Sequence, residues 1–449
     1  METRDAPPRE PPPGPRGRDV LRDRSVSTFL LVSSISSAGM FLQAAALAKQ
    51  LYDITDSELA LGLLGLVEFL PALVLLPLTG SVADRFDRRI VGTVALAIEV
   101  LTSVAFAVYA SSEPTSAAPL FLIAAVFGTA RAFAAPAIRS VPPLIAPDGG
   151  LPRVVALYAG TWQLAMIVGP ASSGFLYDVS PVAPYVVAAV CFAVPAAALP
   201  FLRVRRRQML TPPSERPTLS HAMEGLRFIR SRPVLLGAIA LDLFAVLFGG
   251  AVALLPAIAD DRLGVGNVGY GWLRAAPGIG AVVLTLALAA RPIRTRIGHT
   301  LFAAVAVFGA ATVVFGLTRS YAVAFVALVV LAAADAISVY IRATIVPLAT
   351  PDQMRGRVMA VENVFIGASN ELGAFESGVA ATLVGVGPAV VLGGVLTLGV
   401  VGVWWFLFPA LRDIHSFAEI EEPASHSRVV GTGSSTDVFD SRRAGDQRH

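Results

Sequence analysis

The sequence predicts an all-α polytopic membrane protein of twelve transmembrane helices in two pseudo-symmetric six-helix bundles. Three observations predict it: apolar stretches each long enough to cross a bilayer, arginines confined to alternate connections, and an internal repeat between the halves. A hydrocarbon core about 30 Å thick needs roughly 20 apolar residues per helix, and in lipid only helices or closed barrels satisfy their own backbone polar groups. The stretches are of helix length, which excludes a barrel. Composition agrees, since 55% hydrophobic residues, 15% charged residues and a mean hydropathy of +0.68 lie outside the range of soluble domains.

Residues 1–25 are rich in proline and arginine and lack the apolar core of a signal peptide, so a disordered cytoplasmic tail is expected. A first bundle, 26–202, holds spans at 26–48, 59–80, 90–110, 119–138, 154–176 and 182–202. The connection 203–233 opens on Arg203, Arg205, Arg206 and Arg207, passes Pro212, Pro213 and Pro217, and offers an amphipathic stretch from Leu219 to Ile229. A segment resting on anionic headgroups and a solvated cytoplasmic linker both fit it. A second bundle, 234–411, holds spans at 234–257, 268–290, 299–317, 321–341, 359–382 and 386–409. The polar segment 412–449 is expected to be a second disordered cytoplasmic tail.

With these spans, nearly all arginines fall in the tails or the even-numbered connections, among them Arg139, Arg153, Arg291, Arg294 and Arg296. The opposite connections carry Asp53, Asp56, Glu58, Glu113, Asp178, Asp260 and Asp261, with Arg262 and Arg319 as exceptions. Positive charge stays inside, so both termini are expected in the cytoplasm and the protein in the cell membrane, plasma or inner. The pI near 9.2 then reflects topology, and no nucleic-acid partner is implied. Cys191 is the only cysteine and sits in an apolar run, which excludes an intramolecular disulfide and suits a buried thiol.

The halves repeat at an offset of about 204 residues: Pro147-Asp148, Arg153, Gly169, Ser173 and Gly174 recur as Pro351-Asp352, Arg357, Gly373, Ser377 and Gly378. Paired six-helix bundles suit a transporter that rocks around a site between its halves.

Gly80-Ser-Val-Ala-Asp84-Arg85-Phe-Asp87-Arg88-Arg89 closes the second span at the arginine-rich end. Gly80 and Asp84 share a helix face, where a glycine permits close approach and a carboxylate can meet a neighbouring helix N-terminus or an arginine. An ordinary positive-inside turn is the alternative. The segment resembles the loop between helices two and three of the major facilitator superfamily, Gly-x-x-x-Asp-Arg-x-Gly-Arg-Arg or Lys, with Asp87 in place of the second glycine. The resemblance implies that Gly80, Asp84, Arg85, Arg88 and Arg89 gate the cytoplasmic side by latching the halves. Gly128 to Pro136, Arg139 to Pro147, Gly169-Pro170-Ala-Ser-Ser-Gly174, Arg274 to Gly280 and Arg355 to Val358 are similar to the enterobactin-exporter-like branch. Gly169, Pro170 and Gly174 also resemble a helix-five motif associated with antiport, although a bend for packing explains Pro170 equally well.

Charges inside the spans are costly and mark function or pairing. Asp242, in the apolar run from Leu235 to Leu255, is the first candidate for proton coupling and Glu68 the second; a static salt bridge of Asp242 to Arg131 or Arg274 is as good a reading. Arg131, Arg274, Asp335, Asn370, Glu371 and Glu376 are candidates for a substrate cavity, with Gln43 and Gln163 beside Met40, Phe41 and Trp162 as its polar and aromatic wall. Asp335 and Arg131 occupy equivalent places in the repeat and could neutralise one another.

An ATP-driven pump would need a phosphate-binding loop ending Gly-Lys-Ser or Gly-Lys-Thr, and the only lysine, Lys49, follows Ala48. The five histidines show no metal-ligand spacing, and no Gly-x-Ser-x-Gly elbow occurs. Neither an enzyme nor a cofactor is expected. The expected protein is a monomeric secondary transporter extruding a small amphipathic molecule, siderophore-like, drug-like or metabolite, in exchange for protons. An importer or facilitator of the same fold and a non-transporting receptor or scaffold are the alternatives.

Overall fold

The computed structural model describes residues 17–203 and 219–420. Twelve long helices follow one another: α1 (Arg24–Thr55), α2 (Glu58–Arg85), α3 (Arg88–Ala110), α4 (Ala118–Arg139), α5 (Leu151–Val179), α6 (Ala183–Ala198), α7 (Pro233–Phe248), α8 (Asn267–Ala290), α9 (Ile297–Leu317), α10 (Tyr321–Leu348), α11 (Asp352–Val384) and α12 (Val386–Leu407). No strand occurs among the described residues. Eleven of the helical segments are long and apolar enough to cross a membrane, with α7 counted through to Arg262. The other is α11, which is 33 residues long and carries Glu362, Asn363, Asn370, Glu371 and Glu376.

Local sequence sets the helix starts. Asp23 accepts the N–H groups of Ser25 and Val26 ahead of α1, Ser57 that of Ala60 in α2, and Asp87 that of Arg89 in α3. Each satisfies a donor that the first helical turn leaves open. The ordered chain reaches beyond the expected spans at both ends. Gly17–Arg22 forms a short helix with Val20 fully buried, and Ile414 is buried while its carbonyl accepts the Gly298 N–H at 3.0 Å. Apolar side chains inside polar segments hold these stretches on the bundles. The remainder of the expected tails, and linker residues 204–218, lie outside the described residues.

The repeat read from the sequence governs how helices approach one another. Gly169 of α5 lies against Ala38 and Phe41 of α1, and its counterpart Gly373 of α11 lies against Val246 and Leu247 of α7. Gly174 meets Gly271 of α8, while Gly378 meets Gly62 of α2. A Cβ at any of these glycines would collide with the facing backbone, so the small residues bring helices together where apolar burial gives no advantage over lipid. The two bundles thus join along α2 with α11 and α5 with α8. Their outer faces carry exposed apolar side chains such as Leu101, Val108, Leu122, Val326 and Val395, as a lipid-facing surface requires.

The linker helix Leu219–Ser231 sets Leu226, Phe228 and Ile229 against Val358, Val361 and Phe365 of α11, and Glu224 pairs with Arg357. Its apolar side therefore rests on the second bundle, leaving Met223, Arg227 and Arg230 outward.

Candidate functional site

A cavity of about 1010 Å³ lies between the bundles. Its polar lining comes from both: Glu68 of α2 and Gln163 of α5 on one side, and Arg274 of α8, Asp335 of α10, Asn370 and Glu371 of α11 on the other. Trp162, Met166, Phe308 and Tyr340 supply bulky wall. Backbone features position the charges. A Cβ at Gly65 would overlap the Glu371 carboxylate, so this glycine is the notch in α2 that receives an acid from the opposite bundle. After Phe248 the chain tightens into a 3₁₀ turn, Gly250–Leu254, and the Val252 carbonyl accepts from Arg274 Nη1 at 2.9 Å. Departure from α-helical bonding frees that carbonyl for a side chain.

Glu68 lies within Coulombic range of Arg131, Arg274 and Glu371, and the same two arginines act on Glu371. Four of the sequence-predicted charges, Glu68, Arg274, Asp335 and Glu371, are thus brought together with Gln163 and Asn370 around one space. Arg131 stands outside the lining, over the Phe127 ring at 5.8 Å, and acts on Glu68 and Glu99. Gln43 is fully buried in the first bundle and accepts from Ser103 Oγ at 2.6 Å. Glu376 also lies off the cavity lining.

Asp242 is separate from this space. It is buried against Arg342, Oδ2 to Nη1 2.9 Å, with Ser338 as a further hydrogen-bond partner and Glu362 3.6 Å from the same guanidinium nitrogen. Its cation is therefore Arg342, and neither Arg131 nor Arg274. The sequence reading ended the tenth span at 341 and placed Arg342 in a connection, whereas α10 runs on to Leu348. Asp335 has Asp242 and Arg342 as charged neighbours, so the expected neutralisation between Asp335 and Arg131 does not occur. A void of about 10 Å³, close to the size of one water, joins Asp335 to Asp242 and Ser338.

The bundles close at the end bearing the acidic connections. Lys49 of α1 binds Asp53 one turn on and reaches Asp260 of the second bundle at 3.0 Å. Tyr52 donates to Asp261, Tyr270 to the Ala45 carbonyl at 2.9 Å, and Asn267 to Asp178 at 3.3 Å. Tyr177 donates to Asp53 at 2.7 Å and Tyr185 to Gln50 at 2.6 Å, bracing α1 from α5 and α6. The cavity lining extends the other way, to Leu288 and Ala289 at the arginine-bearing end of α8. The acids of this seal were legible only as markers of side; the signal for more was the lone lysine four residues before Asp53.

At the arginine-bearing end the surroundings of Gly80 and the side chains of Asp84 and Arg85 lie outside what the structure describes. Arg88 donates to the Ser140 carbonyl at 3.3 Å and Arg89 to that of Leu202 at 3.0 Å, both within the first bundle. The Arg89 guanidinium, 2.7 Å from Asp87, holds that carboxyl below the usual carboxylate range. In helix five, Gly169 and Gly174 are the packing points described above, and the Pro170 carbonyl abuts Gly271.

Known proteins share this fold. Residues 28–374 match the family model of the Major Facilitator Superfamily. YfiS of Bacillus subtilis strain 168, a transporter of the same type, is 26% identical over 275 residues, covering 60% of this chain and 64% of that protein. Macrolide efflux protein A of Streptococcus pyogenes is 33% identical over 153 residues, covering 33% of this chain and 36% of its own length. In three dimensions, a POT family transporter in complex with a thioalcohol-conjugated peptide aligns with a TM-score of 0.68 at 12% identity, over 86% of this chain and 96% of that one. A bacterial homologue of the human lysosomal transporter Spinster, inward-facing and unoccupied, aligns at 0.64 with 14% identity, over 86% and 95%. With two glycine-joined six-helix bundles around a shared charged cavity, and a family match over most of its length, the chain belongs to the major facilitator superfamily.

Proposed function

We propose that the protein is a secondary transporter of the cell membrane that exports a small amphipathic molecule by alternating access, in exchange for protons. The observation that carries this reading is the cavity between the bundles, lined by Glu68, Arg274 and Glu371 and, among the described residues, sealed by side chains from both bundles at the acidic end. With the arginine-bearing end in the cytoplasm, this conformation is closed outside and opens inward, ready to load substrate from the cell. Similarity to a macrolide efflux protein and the Gly169-Pro170 segment favour export. The enterobactin-exporter-like branch rests on motif resemblance alone, and the relatives above point equally to drug-like substrates.

Membrane potential supplies about 2.3 kcal/mol per charge per 100 mV, sufficient for accumulation without ATP. Glu68 faces the cavity, and Asp242 lines a separate small void together with Asp335, which also lines the cavity. These two carboxyls, Glu68 and Asp242, are the groups assigned to proton uptake and release in this reading. In inverted vesicles, substrate uptake should collapse on adding a protonophore. Asp242→Asn should abolish gradient-driven uptake while leaving energy-independent exchange; uptake indifferent to the proton gradient would refute coupling, and a fully active mutant would remove Asp242 from it.

A further inference from the structure

We infer that the cavity selects a bulky apolar organic cation, with Asp335 as its charge partner. The inference rests on the cavity being a transport site and adds the sign of the substrate. It follows from the balance of unoccupied hydrogen-bonding and charge capacity in the wall. Three carboxylates line the cavity, Glu68, Asp335 and Glu371, against the single arginine Arg274.

That arginine is already engaged: Nη1 donates to the Val252 carbonyl, and the guanidinium is shared between Glu68 and Glu371. Two of the neutral donors are engaged as well, which leaves the Trp162, Gln163 and Tyr340 groups to meet the polar parts of a ligand. Asn370 donates to the Ile366 carbonyl at 2.8 Å and Thr285 to that of Ala281 at 2.7 Å. The acceptors, in contrast, stand open. Gln163 Oε1 is buried without a hydrogen bond, and neither Glu68, Asp335 nor Glu371 has a cation within 4.0 Å among the described residues.

The arginines behind the wall do not restore the balance. Arg131 is divided among Glu68, Glu99 and Glu371, and Arg342 is paired with Asp242 and Glu362. Asp335 is the lining acid whose only cationic neighbour is committed in this way. An anionic ligand would meet uncompensated carboxylates in a low-dielectric space, whereas a cation completes the balance there. In the same lining, Trp162 and Met166 offer a polarizable surface that an apolar cation can cover.

Tetraphenylphosphonium and tetraphenylborate have nearly the same shape and opposite charge, so they read the sign of the site separately from its size. Equilibrium binding of each radiolabelled ion to the purified full-length protein in lipid nanodiscs should show tetraphenylphosphonium held at least about tenfold more tightly. Asp335→Asn, nearly isosteric, should weaken tetraphenylphosphonium by about tenfold or more, and Asp335→Glu should retain it. Glu371→Gln should weaken it less, because Glu371 lies within Coulombic range of two arginines, Arg274 and Arg131. Size-exclusion profiles and melting temperatures of the variants separate lost binding from lost fold. Equal or tighter binding of tetraphenylborate, binding of neither ion, or an unchanged affinity in a folded Asp335→Asn protein would overturn the inference. Gradient-driven flux of neutral compounds without cation binding would refute the cation alone. Cation binding without any gradient-driven flux would refute the transporter reading alone.

Discussion

The two bundles share their packing and differ in their charges. Gly169 and Gly174 of the first bundle have their repeat partners in Gly373 and Gly378 of the second, and each pair makes equivalent backbone contacts. At the same offset, however, Arg131 of α4 corresponds to Asp335 of α10, a reversal of sign. In the first bundle, Glu68, Glu99 and Arg131 lie within Coulombic range but form no ion pair within 4.0 Å. In the second, Arg342 closes on Asp242 at 2.9 Å and on Glu362 at 3.6 Å. Close helix crossings need matched small residues in both bundles, while a polar space between the bundles needs different side chains from each. The division of labour between glycines and charges satisfies both.

The largest effect should come from breaking the tight cluster. Arg342→Met leaves Asp242 and Glu362 without their guanidinium, and removing one member of a buried pair costs about 3–5 kcal/mol. Arg131→Met removes a cation with no carboxylate in contact and should cost about 1 kcal/mol or less. Thermal unfolding of both purified variants tests the contrast, and equal losses would show that contact distance is not what separates the bundles. The double variant Arg342→Met with Asp242→Leu should recover most of the stability, since replacing a whole buried pair is often neutral.

The next effect concerns which end is closed. The seal at the acidic end ties α1 to the second bundle through Lys49–Asp260 and Tyr52–Asp261, whereas the Arg88 and Arg89 contacts at the opposite end stay within one bundle. Lys49→Met should therefore shift the protein toward opening at the acidic end by about 1.5–3 kcal/mol, the range of a hydrogen bond to a charged group. Spin-label distances between the α1–α2 and α7–α8 connections, in a Cys191→Ala background, should broaden toward longer values. Tyr52→Phe should do the same by about 1 kcal/mol. Unchanged distances in both variants would mean that glycine packing, not the seal, holds this end shut.

Much of the fold was legible because lipid imposes a simple rule on sequence: an apolar span for every crossing and arginines on one side. The repeat was legible because close helix crossings demand small residues at fixed places. Side-chain pairing was less so. Arg342 reads as a flanking residue because α10 extends seven residues past the expected end, and no one-dimensional pattern shows that Asp242, a hundred residues away, lies opposite it. Glu68, Arg274 and Glu371 were recognisable as intramembrane charges, whereas Gln43, which looks like a cavity residue by type, faces Ser103 inside the bundle. The face a residue occupies depends on helix rotation, which apolar spans with weak amphipathicity do not encode.

The smallest effects should appear at two equivalent turns of the arginine-bearing end, where the bundles again differ. In the first, Asp87 caps α3 through the Arg89 N–H and pairs with its guanidinium. In the second, Arg296 precedes α9 with φ 55° and no side-chain cap. Asp87→Ala should lower stability by about 1 kcal/mol, the usual value of an aspartate cap. Arg296→Gly should instead raise it by less than about 1 kcal/mol, because glycine adopts the left-handed region without the Cβ penalty but gains freedom when unfolded. The Asp87 carboxyl is held below its unfolded value, so its charge-dependent contribution is present above the unfolded pKa and is lost as pH falls through the folded one. The melting-temperature gap between the parent and Asp87→Asn should accordingly close on acidification, while the gap between the parent and Arg296→Gly, which arises from backbone conformation, should persist across the same pH range.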